Sequence, residues 1–244
     1  MAHVAAAALG TLLVVLLVAV QPLRGRRRYL RLIAELKTDP DARRRFYVRG
    51  IASAWTAVAI VVVIGALAGR GLASIRLSTS HLRPNALELS VLYVAATLAS
   101  LGMSLVAIWR GSESLVVRFR RQLGGFVEIL PRSPRERRTF AMVAVTAGIC
   151  EEILYRGFGI AYLRWLDHSA STALVIVVIA AAFGFAHLYQ GVRGVVLTGL
   201  IGGLLTWLTL LTGTLVPVIV IHVLIDLRVV ALPSRLLDPV PATP

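Results

Sequence analysis

Along this chain, apolar runs of about the length a bilayer demands alternate with short arginine-rich stretches. A membrane span needs about 20 predominantly apolar residues. Seven segments meet that requirement: roughly 4–23, 51–69, 87–109, 140–163, 171–190, 194–212 and 214–232. The pattern predicts an all-α, polytopic integral membrane helix bundle of about seven transmembrane helices. The first run starts almost at Met1, with no charged stretch before it and no small-residue cleavage site in polar surroundings after it, so it reads as a span rather than a cleaved signal.

Two of the polar intervals have a pattern of their own. RYLRLIAELK, 28–37, and ESLVVRFRRQL, 113–123, repeat apolar residues at three and four through arginine-rich sequence. This predicts basic amphipathic helices lying in the membrane interface. They read as topogenic anchors first, and as a collar for anionic lipid or substrate second. PRSPRER, 131–137, breaks helicity twice and marks a boundary. The expected units are therefore 1–139 with three spans, 140–232 with four, and a proline-rich tail, 233–244, that reads as disordered.

Composition agrees with a membrane protein: 57% of the 244 residues are hydrophobic, 16% are charged, and mean hydropathy is +0.80. A net charge of +14 raises nucleic acid as a partner. The basic residues fall into two intervals between spans rather than on a folded soluble face, which argues against it. Residues 24–50 hold ten Arg and Lys, 110–139 hold eight, and the interval between spans two and three holds three. The positive-inside rule then places both rich intervals and the C-terminus in the cytoplasm, with the N-terminus outside a plasma membrane. Cys150 is the single cysteine, so no disulfide or thiolate cluster forms within one chain.

Polar residues inside the spans are costly and mark function more often than packing. They are Glu151 and Glu152 in the fourth span, His187 in the fifth, and His222 and Asp226 in the seventh, all in the second unit. By this reading the first three spans look like packing and the last four like a site. Glu152 and Arg156 are four apart with the acid first, the favoured order for a helical ion pair. Glu151 is rotated about 100° from Glu152 and can face the bundle interior, where it suits a general base working near neutral pH. Phe183 and His187 share a face in AAAFGFAHLYQG, whose small residues allow close helix approach. His222 and Asp226 share a face in LVPVIVIHVLID, where Pro217 is expected to kink the helix toward a cavity. One acid, two histidines and a further acid from three helices are enough to activate a water.

At these residues the chain resembles the CAAX-protease and bacteriocin-processing family of intramembrane proteases (CPBP, also called Abi), which includes prenyl-protein endopeptidases. The family's Glu-Glu pair with a following arginine appears as EEILYRG, Glu151 to Gly157. Its aromatic residue and histidine appear as FGFAH, Phe183 to His187, and its last histidine motif as HVLID, His222 to Asp226. The resemblance covers about 140–230. It implies a helical bundle with a water-filled cavity open to the cytoplasm and an endopeptidase acting on a membrane-associated protein or peptide. It also implies Glu151 as general base, His187 as a holder of the water, and His222 with the residue at 226 as stabilisers of the oxyanion. Glu152, Arg156 and Phe183 would support the site.

The chain departs from the family at Asp226, where asparagine is the usual residue. An ionised carboxylate opposes an oxyanion, so Asp226 is protonated, orients His222 as a triad acid does, or helps to bind a cation. The family has been described both as zinc-dependent and as dependent on glutamate without metal. Glu151, His187 and His222 are the candidate zinc ligands, but no HExxH spacing demands zinc, and the metal-free glutamate mechanism is the favoured expectation. Two other classes of function stay open: an ion- or proton-coupled transporter using the same residues as a relay, and a catalytically idle scaffold or immunity relative.

Overall fold

In the computed structural model, residues 1–69, 76–77, 83–111, 114 and 124–233 are described. The second predicted amphipathic helix, 113–123, apart from Ser114, and the proline-rich tail after Pro233 lie outside the described residues. Seven main helices run through the rest, and among the described residues there are no strands. They are α1 (Ala2–Glu35), α2 (Ala42–Leu67), α3 (Ala86–Arg110), α4 (beginning at Pro134 and ending at Leu166), α5 (Thr172–Ala186), α6 (Gly191–Thr212) and α7 (Val216–Leu227). Four are long and apolar enough to cross a membrane: α1, α2, α3 and α6 with the short 3₁₀ turn before it. The other three carry the ionisable residues or flank them, and α5 and α7 are short.

The first basic amphipathic segment is not a separate interfacial helix. It continues α1 without a break, making one helix of 34 residues interrupted only by a π-helical turn, Leu16–Val20. Tyr29 and Leu32 give this end a buried face, while Arg24, Arg26, Arg27, Arg28 and Arg31 stay exposed. Similarly, α2 begins at Ala42 rather than near 51 and takes Arg43 to Arg49 into its first turns. Only 36–41 is left to turn the chain. There Arg45 pairs with Asp39 and holds its carboxyl below the usual range.

At this basic end a small apolar cluster, including Leu32, Tyr47, Leu130 and Phe140, is sealed by a polar clasp. Buried Arg43 meets Glu136 Oε1 at 2.9 Å and donates from Nε to the Glu128 carbonyl at 3.0 Å. Tyr47 donates to the Ile129 carbonyl. Glu136 also completes a capping box with Ser133, accepting from its backbone N–H at 3.1 Å while Ser133 Oγ accepts from the Glu136 N–H at 3.2 Å. The prolines of PRSPRER therefore start α4 at Pro134 rather than near 140, because Pro134 occupies its first turn, where no backbone donor is lost.

The larger core is built by α1, α2 and α4 to α7. α5 and α6 approach most closely at Gly184, where a Cβ would lie 2.6 Å from the Val195 carbonyl and 3.0 Å from Gly199 Cα. Gly213, at φ 81°, ends α6. Pro217 falls in the first turn of α7 and so frees no interior carbonyl, and the expected kink is replaced by a helix start.

The Gly184 contact is with backbone, which cannot rotate away. Gly184→Ala should cost about 1–3 kcal/mol as overpacking, measured as a lower unfolding midpoint of the detergent-purified protein. An unchanged midpoint would mean that α5 and α6 are further apart than described.

Candidate active site

α4 changes its winding at the motif that carries the acids. Pro134–Glu151 is α-helical, Glu152–Gly159 is π-helical, and Ile160–Leu166 is α-helical again. Such bulges are uncommon and recur at functional sites. Nothing in the spacing of the apolar residues announced this one. Its effect is local: Glu152 and Arg156 remain paired, Arg156 Nη1 donating to Glu152 Oε1 at 2.9 Å, with both side chains fully buried.

Arg156 is satisfied at every nitrogen. Nη2 donates to the Gly202 carbonyl at 3.0 Å and Nε to Thr206 Oγ1 at 3.3 Å, both on α6. Its guanidinium carbon lies 4.2 Å from the centre of the Phe183 ring on α5, a cation–π contact. Thr206 and Gly202 were not singled out in the sequence. A threonine and a glycine in an apolar helix are ordinary, and only the approach of Arg156 gives them a role. A Cβ at Gly202 would lie 2.8 Å from Phe183 Cδ1 and 3.2 Å from Arg156 Nη2.

Glu152 joins the fourth helix of the group. His222 Nδ1 on α7 lies 2.7 Å from the same Oε1 that receives Arg156, so the carboxylate accepts and Nδ1 donates. The acid that orients His222 is therefore Glu152 rather than Asp226. Asp226 Oδ2 instead lies 3.6 Å from His222 Nε2, and Glu151 Oε2 lies 4.0 Å from that same nitrogen. The fourth- and seventh-span residues are thus brought together, with Glu151 and Asp226 at one edge of the His222 ring and Glu152 at the other.

Glu151 faces the other way from its neighbour. Its side chain is 28% exposed and lines a cavity of about 580 Å³, to which His187, Tyr155 and Tyr189 also contribute. Its Oε2 has no hydrogen-bond partner within the described protein. His187, at the C-terminal end of α5, donates from Nδ1 to the Phe183 carbonyl at 2.8 Å, the carbonyl being able only to accept. The Phe183 ring packs on His187, centroids 4.8 Å apart, and edge-on to His222 at 6.0 Å. Cys150 is buried in the core away from this chemistry.

The far wall of the cavity comes from the first half of the chain, including Leu13, Leu17, Gln21, Arg24 and Arg28 of α1 and Ile51 and Ala54 of α2. The expectation that the early helices serve packing alone is corrected here. Their apolar sequence gives no sign of what they enclose.

The zinc alternative can be tested on the donors. Both histidines have already committed Nδ1, to Phe183 and to Glu152. Each histidine therefore has only Nε2 left to offer a metal, the arrangement usual for a metal-ligating histidine. Among the described residues no three His, Cys, Asp or Glu side chains form a metal-holding group.

Removing one partner of a buried ion pair strands the other, at about 3–5 kcal/mol. Arg156→Leu should therefore lower the unfolding midpoint sharply, and adding Glu152→Gln should restore part of the loss by removing the stranded charge. A double variant no more stable than Arg156→Leu would mean that Glu152 is not held by this pair.

Residues 136–228, from the first turn of α4 to the end of α7, match the family model described as Type II CAAX prenyl endopeptidase Rce1-like. No curated protein and no solved structure matches the chain. All the polar residues just described from Glu151 to Asp226 lie within the matched stretch. Through α4 to α7, the chain is similar to the CAAX prenyl endopeptidase family.

Proposed function

We propose that this protein is an intramembrane endopeptidase that hydrolyses a peptide bond of a membrane-associated protein or peptide with a water activated by Glu151 and His187. The observation that carries the reading is that these two side chains, from different helices, line one cavity while His222 Nε2 sits beside Glu151. Because Nδ1 of His187 holds the proton given to the Phe183 carbonyl, Nε2 is the nitrogen left to accept from the water. Glu151, whose partly exposed side chain lines the cavity, takes the proton as the water oxygen attacks the scissile carbonyl carbon. The same proton passes to the leaving amine when the C–N bond breaks.

The developing oxyanion needs a donor. With Nδ1 of His222 given to Glu152, the imidazolium form places the second proton on Nε2. Asp226 lies 3.6 Å away, beyond hydrogen-bond distance, and so leaves that proton free for the oxyanion. By the positive-inside rule the arginine-rich end, where the cavity reaches Arg24 and Arg28, lies in the cytoplasm and the N-terminus outside the plasma membrane.

Transport would need a path reaching both faces. A second cavity, about 500 Å³, lies along α1, α2 and α4 near His3 and Trp165, and it shares no lining residue with the first. This favours the protease over a conduit.

The test is hydrolysis of a library of tagged membrane-proximal peptides by folded wild-type protein and variants. Glu151→Gln and His187→Ala should each lower kcat on the order of 10²–10⁴-fold, and His222→Ala by about 10²–10³-fold. Cleavage surviving in Glu151→Gln would sink the mechanism. A chelator titration checks the metal-free route separately: activity should persist without stoichiometric zinc in the purified protein, whereas zinc at one per chain with chelator-sensitive turnover would reverse that assignment.

A further inference from the structure

The catalytic cavity does not end at its own mouth. A neighbouring cavity, about 570 Å³ and distinct from the one near His3, adjoins it and shares Gln21, Arg28, Gly50, Ala186 and Tyr189 with it. The wall common to both is one face of α1, on which Gln21, Arg24, Arg28, Arg31 and Glu35 recur at three- and four-residue intervals. Arg49 of α2 faces them across the neighbouring cavity. The acid in this neighbouring cavity, Glu35, is engaged by Arg45 at 3.6 Å. Among the described residues, Arg24, Arg28, Arg31 and Arg49 form no ion pair at all, although the basic end supplies acids that Arg43, Arg45 and Arg132 do use.

Topogenic arginines need only lie near the membrane face. That accounts for Arg26 and Arg27, which are exposed and line neither cavity. It does not account for four unpaired guanidinium groups lining a groove continuous with Glu151 and His187. A peptide whose scissile bond lies at Glu151 has its flanking residues led past Arg24 and Arg28 toward Arg31 and Arg49. Arg24 and Arg31 are seven residues apart, about 10 Å along α1, which about three extended residues would cover.

We infer that this groove is a specificity subsite for carboxylate side chains, so that the preferred substrates carry acidic residues within a few positions of the apolar segment that enters the cavity. The inference rests on the protease reading for its choice of ligand. A phospholipid headgroup would offer similar chemistry, but it would meet Arg26 and Arg27 as readily as Arg28 and Arg31, and it has no reason to follow a groove leading to the catalytic pair.

The experiment uses the full-length chain with Glu151→Gln, in nanodiscs of neutral phospholipid, and reads binding rather than cleavage. Two labelled peptides share one apolar segment, flanked in one by three aspartates and in the other by three asparagines. The aspartate peptide should bind about tenfold more tightly at low salt, with the gap closing as salt rises. Adding Arg28→Gln and Arg31→Gln should abolish the preference, and adding Arg26→Gln and Arg27→Gln should leave it. Equal binding of the two peptides overturns the inference, as does a preference that survives loss of Arg28 and Arg31 or falls equally with Arg26 and Arg27. Loss of the preference in anionic nanodiscs, with lipid competing at the same arginines, also overturns it in favour of a headgroup site. Wild-type hydrolysis is scored separately: charge preference without hydrolysis fells the protease reading alone, and hydrolysis indifferent to flanking charge fells the subsite alone.

Discussion

The arrangement of the C-terminal four helices depends on where one buried guanidinium finds its partners. Arg156 has no exposure to solvent, and a charge so placed is tolerable only if paired and hydrogen-bonded. Its partners come from all directions: Glu152 on its own helix, the Gly202 carbonyl and Thr206 on α6, and the ring of Phe183 on α5. Glu152 then extends the network to His222 on α7. Each helix of the family region is therefore fixed relative to the others by the same requirement, and each catalytic candidate sits within a turn or so of a residue that meets it.

This explains how two adjacent glutamates acquire different chemistry. Glu152 points into the packed region and is consumed by Arg156 and His222, so it is a positioning group. Glu151, one residue earlier, has no ion pair with Arg156, and its partly exposed side chain lines the cavity. The division follows from helical rotation, which places only Glu152 within reach of Arg156. Phe183 shows the same economy on α5, since its carbonyl fixes the His187 ring while its side chain covers Arg156.

Much of this was legible in the chain. Hydrophobic run length revealed seven helices, four of them of bilayer-crossing length, and the scarcity of ionisable groups within spans singled out Glu151, Glu152, His187, His222 and Asp226. The i, i+4 spacing correctly paired Glu152 with Arg156. What escaped were features set by contact between distant segments. Neither the π-helical stretch at Glu152–Gly159 nor the role of Thr206 has a local pattern. The share of the cavity wall built by α1 was hidden because a lipid-facing helix and a cavity-facing one are written in the same apolar residues. The starts of α1's basic half and of α4 were misjudged for a simpler reason. Arginine is a good helix former, so hydropathy falls at the membrane face while the helix itself runs on.

That continuity makes α1 a single rod of about 51 Å by helical rise, against a hydrocarbon slab of about 30 Å. The part that crosses lipid, the part that walls the reactive cavity and the part that carries the arginine row cannot move independently, except at the π-helical turn. A helix longer than its bilayer tilts to fit. Tilting this one swings the cavity wall and the charged row together, so the thickness of the surrounding membrane bears on the geometry of both.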